Sequence, residues 1–112
     1  MNFNEYQELA GRTDTQNGNM VYHFIGVANE SGEALGKVKK IIRGDEGTKD
    51  QFGNLTAQTR AALKDELSDV LWYIARAAAS LGIKLEDIAT HNIQKLEDRA
   101  ARGVIKGSGD NR

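Results

Sequence analysis

Residues 63–81 read Leu63-Lys64-Asp65-Glu66-Leu67-Ser68-Asp69-Val70-Leu71-Trp72-Tyr73-Ile74-Ala75-Arg76-Ala77-Ala78-Ala79-Ser80-Leu81. Leu63, Leu67, Val70, Leu71, Ile74, Ala78 and Leu81 recur three or four residues apart, which makes one apolar stripe on a helix advancing about 100° per residue. Glu66 and Asp69 share another side of it, about 60° apart. Trp72, Tyr73 and Arg76 flank Asp69, so the acidic side also carries two large aromatics. Such a side is expected to meet something: a partner helix, a second subunit or a flat ligand such as a base. Trp72 and Tyr73 suit a subunit interface equally well.

Outward from this stretch, Thr56 is the expected N-cap and Gly82 ends the helix. A second long helix is expected over about Met20–Arg43, stopped by Gly44. Its apolar residues Val21, Phe24, Ile25, Ala28, Leu35 and Ile42 form a stripe, the expected core face. A short helix is expected at about Asn4–Gly11, and a fourth over about Leu85–Arg102, closed by Gly103. Residues 12–19 and 44–55 are polar and Gly-bearing loops, and the tail 104–112 has no helical signal. No strand alternation is convincing. The expected class is all-α, an antiparallel bundle of about four helices.

Composition narrows the functions. The chain has 112 residues, twelve Gly, and no Pro or Cys. That length suits a single domain over residues 1–112. The lack of Cys excludes a disulfide framework, a thiolate zinc site, an iron–sulfur cluster and a cysteine nucleophile. It also suits a reducing, cytoplasmic compartment. A net charge of −1 argues against a nucleic-acid polymer as partner. No apolar run spans a membrane, and the N-terminal residues lack a signal peptide's pattern. The modest apolar content suggests a core completed by a partner subunit. His23 and His91 stand apart in sequence from other ligand types and read as surface or interface histidines.

The second helix repeats the acidic theme with Glu30-Ser31-Gly32-Glu33. Either pair alone is common on a solvated helix, and Glu33 also stands four residues before Lys37. Glu30 and Glu33 lie nearly opposite the apolar stripe of their helix. If two packed helices bring both pairs together, four carboxylates repel and a hard divalent cation is the remedy. Gly26, Gly32 and Gly36 inside this helix are expected to permit close approach of another helix or a nucleotide.

The ordered set resembles the MazG-like all-α nucleoside triphosphate pyrophosphohydrolases, related to dimeric dUTPases and dCTP pyrophosphatases. The matching strings are Ile25-Gly26-Val27-Ala28-Asn29-Glu30-Ser31-Gly32-Glu33, Glu66-Leu67-Ser68-Asp69-Val70-Leu71-Trp72-Tyr73, and Asn92-Ile93-Gln94-Lys95-Leu96 with Arg99. The gap between Glu33 and Glu66 is longer than usual in the family, and the excess falls in the 44–55 loop. The resemblance implies hydrolysis of a nucleoside triphosphate, most simply a dNTP, to the monophosphate and pyrophosphate, in nucleotide-pool control or house-cleaning. It implies Mg²⁺, with Mn²⁺ as substitute, on Glu30, Glu33, Glu66 and Asp69. Glu30 or Glu33 serves as the catalytic group. Phosphate and base contacts fall to Lys37, Lys40, Trp72, Tyr73, Asn92, Lys95, Arg99 and Arg112; dGTP, dCTP and dUTP all stay open. It further implies a homodimer or homotetramer in the cytoplasm of a bacterial cell or phage-infected host. The alternative is a non-catalytic helical nucleotide-binding or protein-interaction module on the same fold; a weaker one is a purely structural oligomerisation bundle.

Overall fold

The computed structural model describes residues 1–112. It is all-helical: α1 (Phe3–Gly11), α2 (Met20–Arg43), α3 (Ala57–Ser80) and α4 (Leu85–Ala101), with no strand beyond an isolated bridge between Lys49 and Leu55. Each boundary has a local cause. The Asn2 side chain accepts from the Glu5 N–H, while Glu5 reaches back to the Asn2 N–H, a reciprocal capping box. Asn19 caps α2 and Thr56 caps α3, accepting from the N–H groups of Tyr22 and Thr59. Gly44 ends α2 in the left-handed region at φ 79°. Lys84 offers α4 no side-chain cap, so Gln7 of α1 supplies one: its Oε1 accepts from Leu85 N–H at 3.0 Å. The Gln7 amide also donates to the carbonyls of Ile83 and Ala75. One α1 side chain thus braces the turn between α3 and α4.

Helices α2 and α3 form the main pair. As the α2 partner advances from His23 to Gly26 to Lys37, the α3 partner retreats from Ser80 to Tyr73 to Glu66, so the two run antiparallel. Helix α1 packs on α3 and α4, and α4 packs on α1 and α3; neither meets α2 helix to helix. The chain is therefore spread out. Its radius of gyration is 17.3 Å, against roughly 13 Å for a compact domain of this length.

One expectation is overturned. The α2 stripe of Val21, Phe24, Ile25, Ala28, Leu35 and Ile42 is not a core face; every member is exposed, from Phe24 at 52% to Ile42 at 80% among the large ones. The face turned to α3 is the opposite one, with His23, Gly26, Val27, Glu30, Ser31, Ala34, Lys37 and Ile41 buried or half-buried. The reason is steric and electrostatic. Gly26 has no Cβ, and one added there would stand 2.0 Å from the Tyr73 ring. That gap lets an aromatic of α3 lie against the α2 backbone, and no residue of the apolar stripe offers such a seat. Gly32 and Gly36 face open space instead of a close neighbour.

The deepest packing around the pair is ionic. His23 is wholly buried, so it is not a surface histidine. Its Nδ1 lies 2.7 Å from Ser80 Oγ, which donates to the carbonyl of Arg76. Its Nε2 lies 2.9 Å from Asp14 Oδ2, off the line of a well-aligned hydrogen bond. Arg76 Nε donates to the same oxygen at 2.6 Å, and Arg76 Nη2 donates to Asn17 Oδ1. Burial pushes the Asp14 carboxyl upward. The bonds from Arg76, the Gln16 N–H and His23 outweigh it and hold Asp14 below the usual carboxylate range. This network ties the 12–19 loop to both long helices.

Candidate metal and nucleotide site

Half-way along the α2–α3 seam, Glu30 of α2 meets Glu66 and Asp69 of α3. One carboxylate oxygen from each lies within 4.8 Å of the others. The seam explains the convergence: Glu30 sits on the packed face of α2, one turn past Gly26, and the three-residue step from Glu66 to Asp69 keeps both carboxylates on the facing side of α3. Burial, then the charges of Asp69, Glu66 and Glu33, push the Glu30 carboxyl above its ordinary range; a contact from Asn29 opposes them. Three hard oxygen donors at this spacing, one already resisting ionisation, fit a divalent cation such as Mg²⁺.

The remaining expected residues divide into groups. Glu33 stands outside the converging trio, one turn along α2 in a shallow groove with Lys37, Lys40 and Arg43. Lys37 Nζ reaches Glu66 at 3.8 Å, a loose ion pair at the edge of the acidic cluster. Lys37 and Lys40 also line a cleft of about 200 Å³ with Gly47, Thr48 and Thr59, between the end of α2, the 44–55 loop and the start of α3.

Trp72 and Tyr73 both act inside the chain. The Trp72 indole N–H donates to Thr13 Oγ1 at 3.1 Å, and its ring stands edge-on to Tyr73 and His23. Tyr73 lies on Gly26 with its ring 6.2 Å from that of Tyr22. A bond with Tyr22, then burial and the charges of Tyr22, Glu30 and Asp69, raise the Tyr73 phenol. Tyr73 thus lies within reach of the acidic cluster's charge, and Trp72 backs it.

No hydrogen bond or ion pair ties Asn92, Lys95 or Arg99 to the trio, and α4 makes no contact with α2. Lys95 and Arg99 instead face Asp110 of the tail. Arg112, expected on phosphate, is engaged elsewhere: its guanidinium donates to the carbonyls of Val104, Gly109 and Ile105. An arginine holding three backbone oxygens is a staple for the tail and not a free cation.

Other residues surround the site. Tyr6 of α1 has its phenol raised by burial and then by the Asp69 charge. With Phe3 and Leu71 it lines an apolar cleft of about 390 Å³. Asp14, His23 and Arg76 hold the aromatic wall from behind. Only Arg76 carried a signal, through its place beside Asp69 on the helical wheel. Asp14 lies in a loop, where no periodicity marks it.

The MazG nucleotide pyrophosphohydrolase domain description matches residues 24–104. The chain belongs to the MazG family. That match spans both acidic pairs, the 44–55 loop and α4. The chain is also 43% identical, over 103 residues, to the Gene 37 protein of Mycobacterium phage L5, covering 92% of this chain and 84% of that protein. No solved structure matches it. MazG proteins are nucleotide pyrophosphohydrolases that use divalent metal, and the Glu30–Glu66–Asp69 convergence is the feature here suited to that chemistry. No helix is long and apolar enough to cross a membrane.

Proposed function

We propose that this chain hydrolyses a nucleoside triphosphate, most simply a dNTP, to the monophosphate and pyrophosphate with Mg²⁺, in nucleotide-pool control or house-cleaning. The observation that carries the reading is the meeting of Glu30, Glu66 and Asp69 across two helices, within 4.8 Å. A divalent ion held there would polarise the α-phosphate, offset charge on the departing pyrophosphate and acidify an attacking water. Glu66 and Asp69 hold the ion through oxygens on one helix face. Glu30 joins them or takes the water's proton; burial and the neighbouring charges raise its carboxyl and make it a stronger proton acceptor than an ordinary exposed glutamate. Glu33, one turn on, widens the acidic field and serves as a fourth ligand when a second ion is present.

Lys37 and Lys40 bind the outer phosphates at the cleft beside the 44–55 loop, close to the ion. The apolar cleft of Phe3, Tyr6 and Leu71 lies near Asp69 and offers a face for the base; stacking there tolerates dGTP, dCTP and dUTP alike. Trp72 and Tyr73 act by keeping the wall dry and rigid. Asn92, Lys95 and Arg99 meet metal-bound phosphates where α4 of one copy reaches the trio of another. The bare α2 stripe supports self-association, as a homodimer or homotetramer, because so many large apolar side chains on one helix face are costly to leave in water. The test is product analysis over a panel of NTPs and dNTPs with Mg²⁺ and with Mn²⁺. Pyrophosphate as the released product supports the reading; orthophosphate, or no turnover with any of them, overturns it.

A further inference from the structure

Residues 103–112 do not trail into solvent. They fold back along α4, with Val104 N–H donating to Arg99 O at 2.9 Å. Gly107 and Gly109 take φ of 138° and 83°, values that residues with a Cβ rarely adopt. Arg112 then closes the loop on the carbonyls of Val104, Ile105 and Gly109, and Arg102 donates to the Arg112 carbonyl at 2.7 Å. This places Asp110 over two cations of α4. Its Oδ1 lies 3.4 Å from Arg99 Nη2 and 3.8 Å from Lys95 Nζ, and its carbonyl lies 3.3 Å from Arg99 Nη2.

The arrangement is lopsided. Arg99 is 4% exposed, while the Asp110 side chain is 88% exposed. A buried guanidinium needs an anion, and here one carboxylate oxygen serves both cations at distances longer than the roughly 2.7–2.9 Å of a firm charged hydrogen bond. A wet, long-range pair of this kind contributes little stability. Two positive groups one turn apart, covered by a weakly held carboxylate on a glycine-hinged strap, form an anion site with a removable occupant.

Lys95 and Arg99 are phosphate contacts of the proposed function; we propose that the chain closes this pair with its own Asp110, and that an arriving oligophosphate displaces Asp110 and releases the 103–112 strap. A terminal phosphate offers three oxygens to the two cations where Asp110 offers one. The strap thus competes with phosphate, sparing Arg99 an unpaired state when no ligand is present. This rests on the proposed nucleotide chemistry for its biological meaning but not for its binding step.

The test uses the full chain without metal, in EDTA, titrated calorimetrically with inorganic pyrophosphate and separately with inorganic triphosphate. Asp110→Asn should tighten binding about two- to fivefold. The anion with the larger gain identifies product or substrate as the intended ligand. Glu97→Gln, which removes an equal charge from the exposed side of α4, should change affinity much less. Gly107→Ala strains the strap with Asp110 intact and should tighten binding as well. In the unmodified chain, the Arg112 Nε–H resonance should shift or broaden as the anion saturates. Equal or weaker binding by both strap variants, a gain matched by Glu97→Gln, or an unmoved Arg112 resonance at saturation overturns the proposal. Failure of the nucleotide reading shows separately, as absence of pyrophosphate release while the EDTA titrations still respond to Asp110→Asn.

Discussion

The two faces of α2 invert the usual rule. The face carrying Val21, Phe24, Ile25, Leu35 and Ile42 lies bare, whereas the face carrying His23, Glu30 and Lys37 is packed against α3. In an isolated chain this is costly, because burying apolar area contributes about 25 cal/mol per Å² and this stripe buries little. The lesson is about division of labour. The polar face is paired internally because its groups need defined neighbours: Asp14 and Ser80 for His23, and for Glu30 the seam position that brings it to the carboxylates of α3. The apolar face needs only another apolar surface, with no demand for precise chemistry.

The sharpest way to break this contrast is to disarm the packed face. Asp69→Asn should lower kcat by about 10²-fold or more, with helical circular dichroism unchanged; retention of most activity would mean that the convergence with Glu30 is incidental. Next in size is the ionic backing. Arg76→Ala strips Asp14 of its 2.6 Å partner in a site where both side chains are nearly dry. Loss of one member of a buried pair costs about 3–5 kcal/mol, so chemical denaturation should show a loss of that order, against near-neutrality if the network is dispensable.

Acidity reads the same face more gently. Glu30 lies above its ordinary range through burial and the charges of Asp69, Glu66 and Glu33, so the folded chain binds its proton more readily than the unfolded one. Without metal, that group therefore favours the folded state as pH falls through its raised value. Metal binding must expel the proton, so the melting-temperature gain from Mg²⁺ should shrink over the same window. Asp14 has the opposite sign: held below its ordinary value, it contributes stability above the unfolded carboxylate range and loses it as pH falls through the depressed value. A gain from Mg²⁺ that is flat across the acidic range would remove Glu30 from the site.

The smallest effect on the single chain belongs to the bare face. Ile25→Lys should alter intrachain stability by less than about 0.5 kcal/mol, as at other exposed positions. It should nonetheless lower the mass seen by light scattering if a second copy covers the stripe. Loss of folding in a dilute monomer would show instead that Ile25 packs within its own chain.

Much of this was legible in the sequence. The helix bounds came within one or two residues because Thr56 and Gly44 cap by local hydrogen bonding and backbone freedom, which need no tertiary partner. The two acidic pairs were legible as spacing, since three residues on a helix keep two carboxylates together wherever the helix goes. The side of α2 that meets α3 was not legible. Periodicity reports which side is apolar, not which neighbour covers it, and here the neighbour within the chain takes the other side. His23 was misread for a related reason: its partners Asp14 and Ser80 lie in a loop and on a distant helix turn, and burial is a property of all three together. Arg112 was placed on phosphate by its charge, while its backbone staple depends on the fold of the tail.

The sequence by itself therefore determined the four helices, the absence of thiol chemistry and the ordered acidic pairs, because these follow from local propensity, composition and helical geometry. Tertiary structure alone decided that Glu30 and not Glu33 joins Glu66 and Asp69, that Gly26 is the seat of Tyr73, and that Asp110 covers Lys95 and Arg99. Those outcomes depend on how one helix is rotated against another and how a tail returns. That rotation is set by the missing Cβ at Gly26 and the buried Asp14–His23–Arg76 network, which act across the chain.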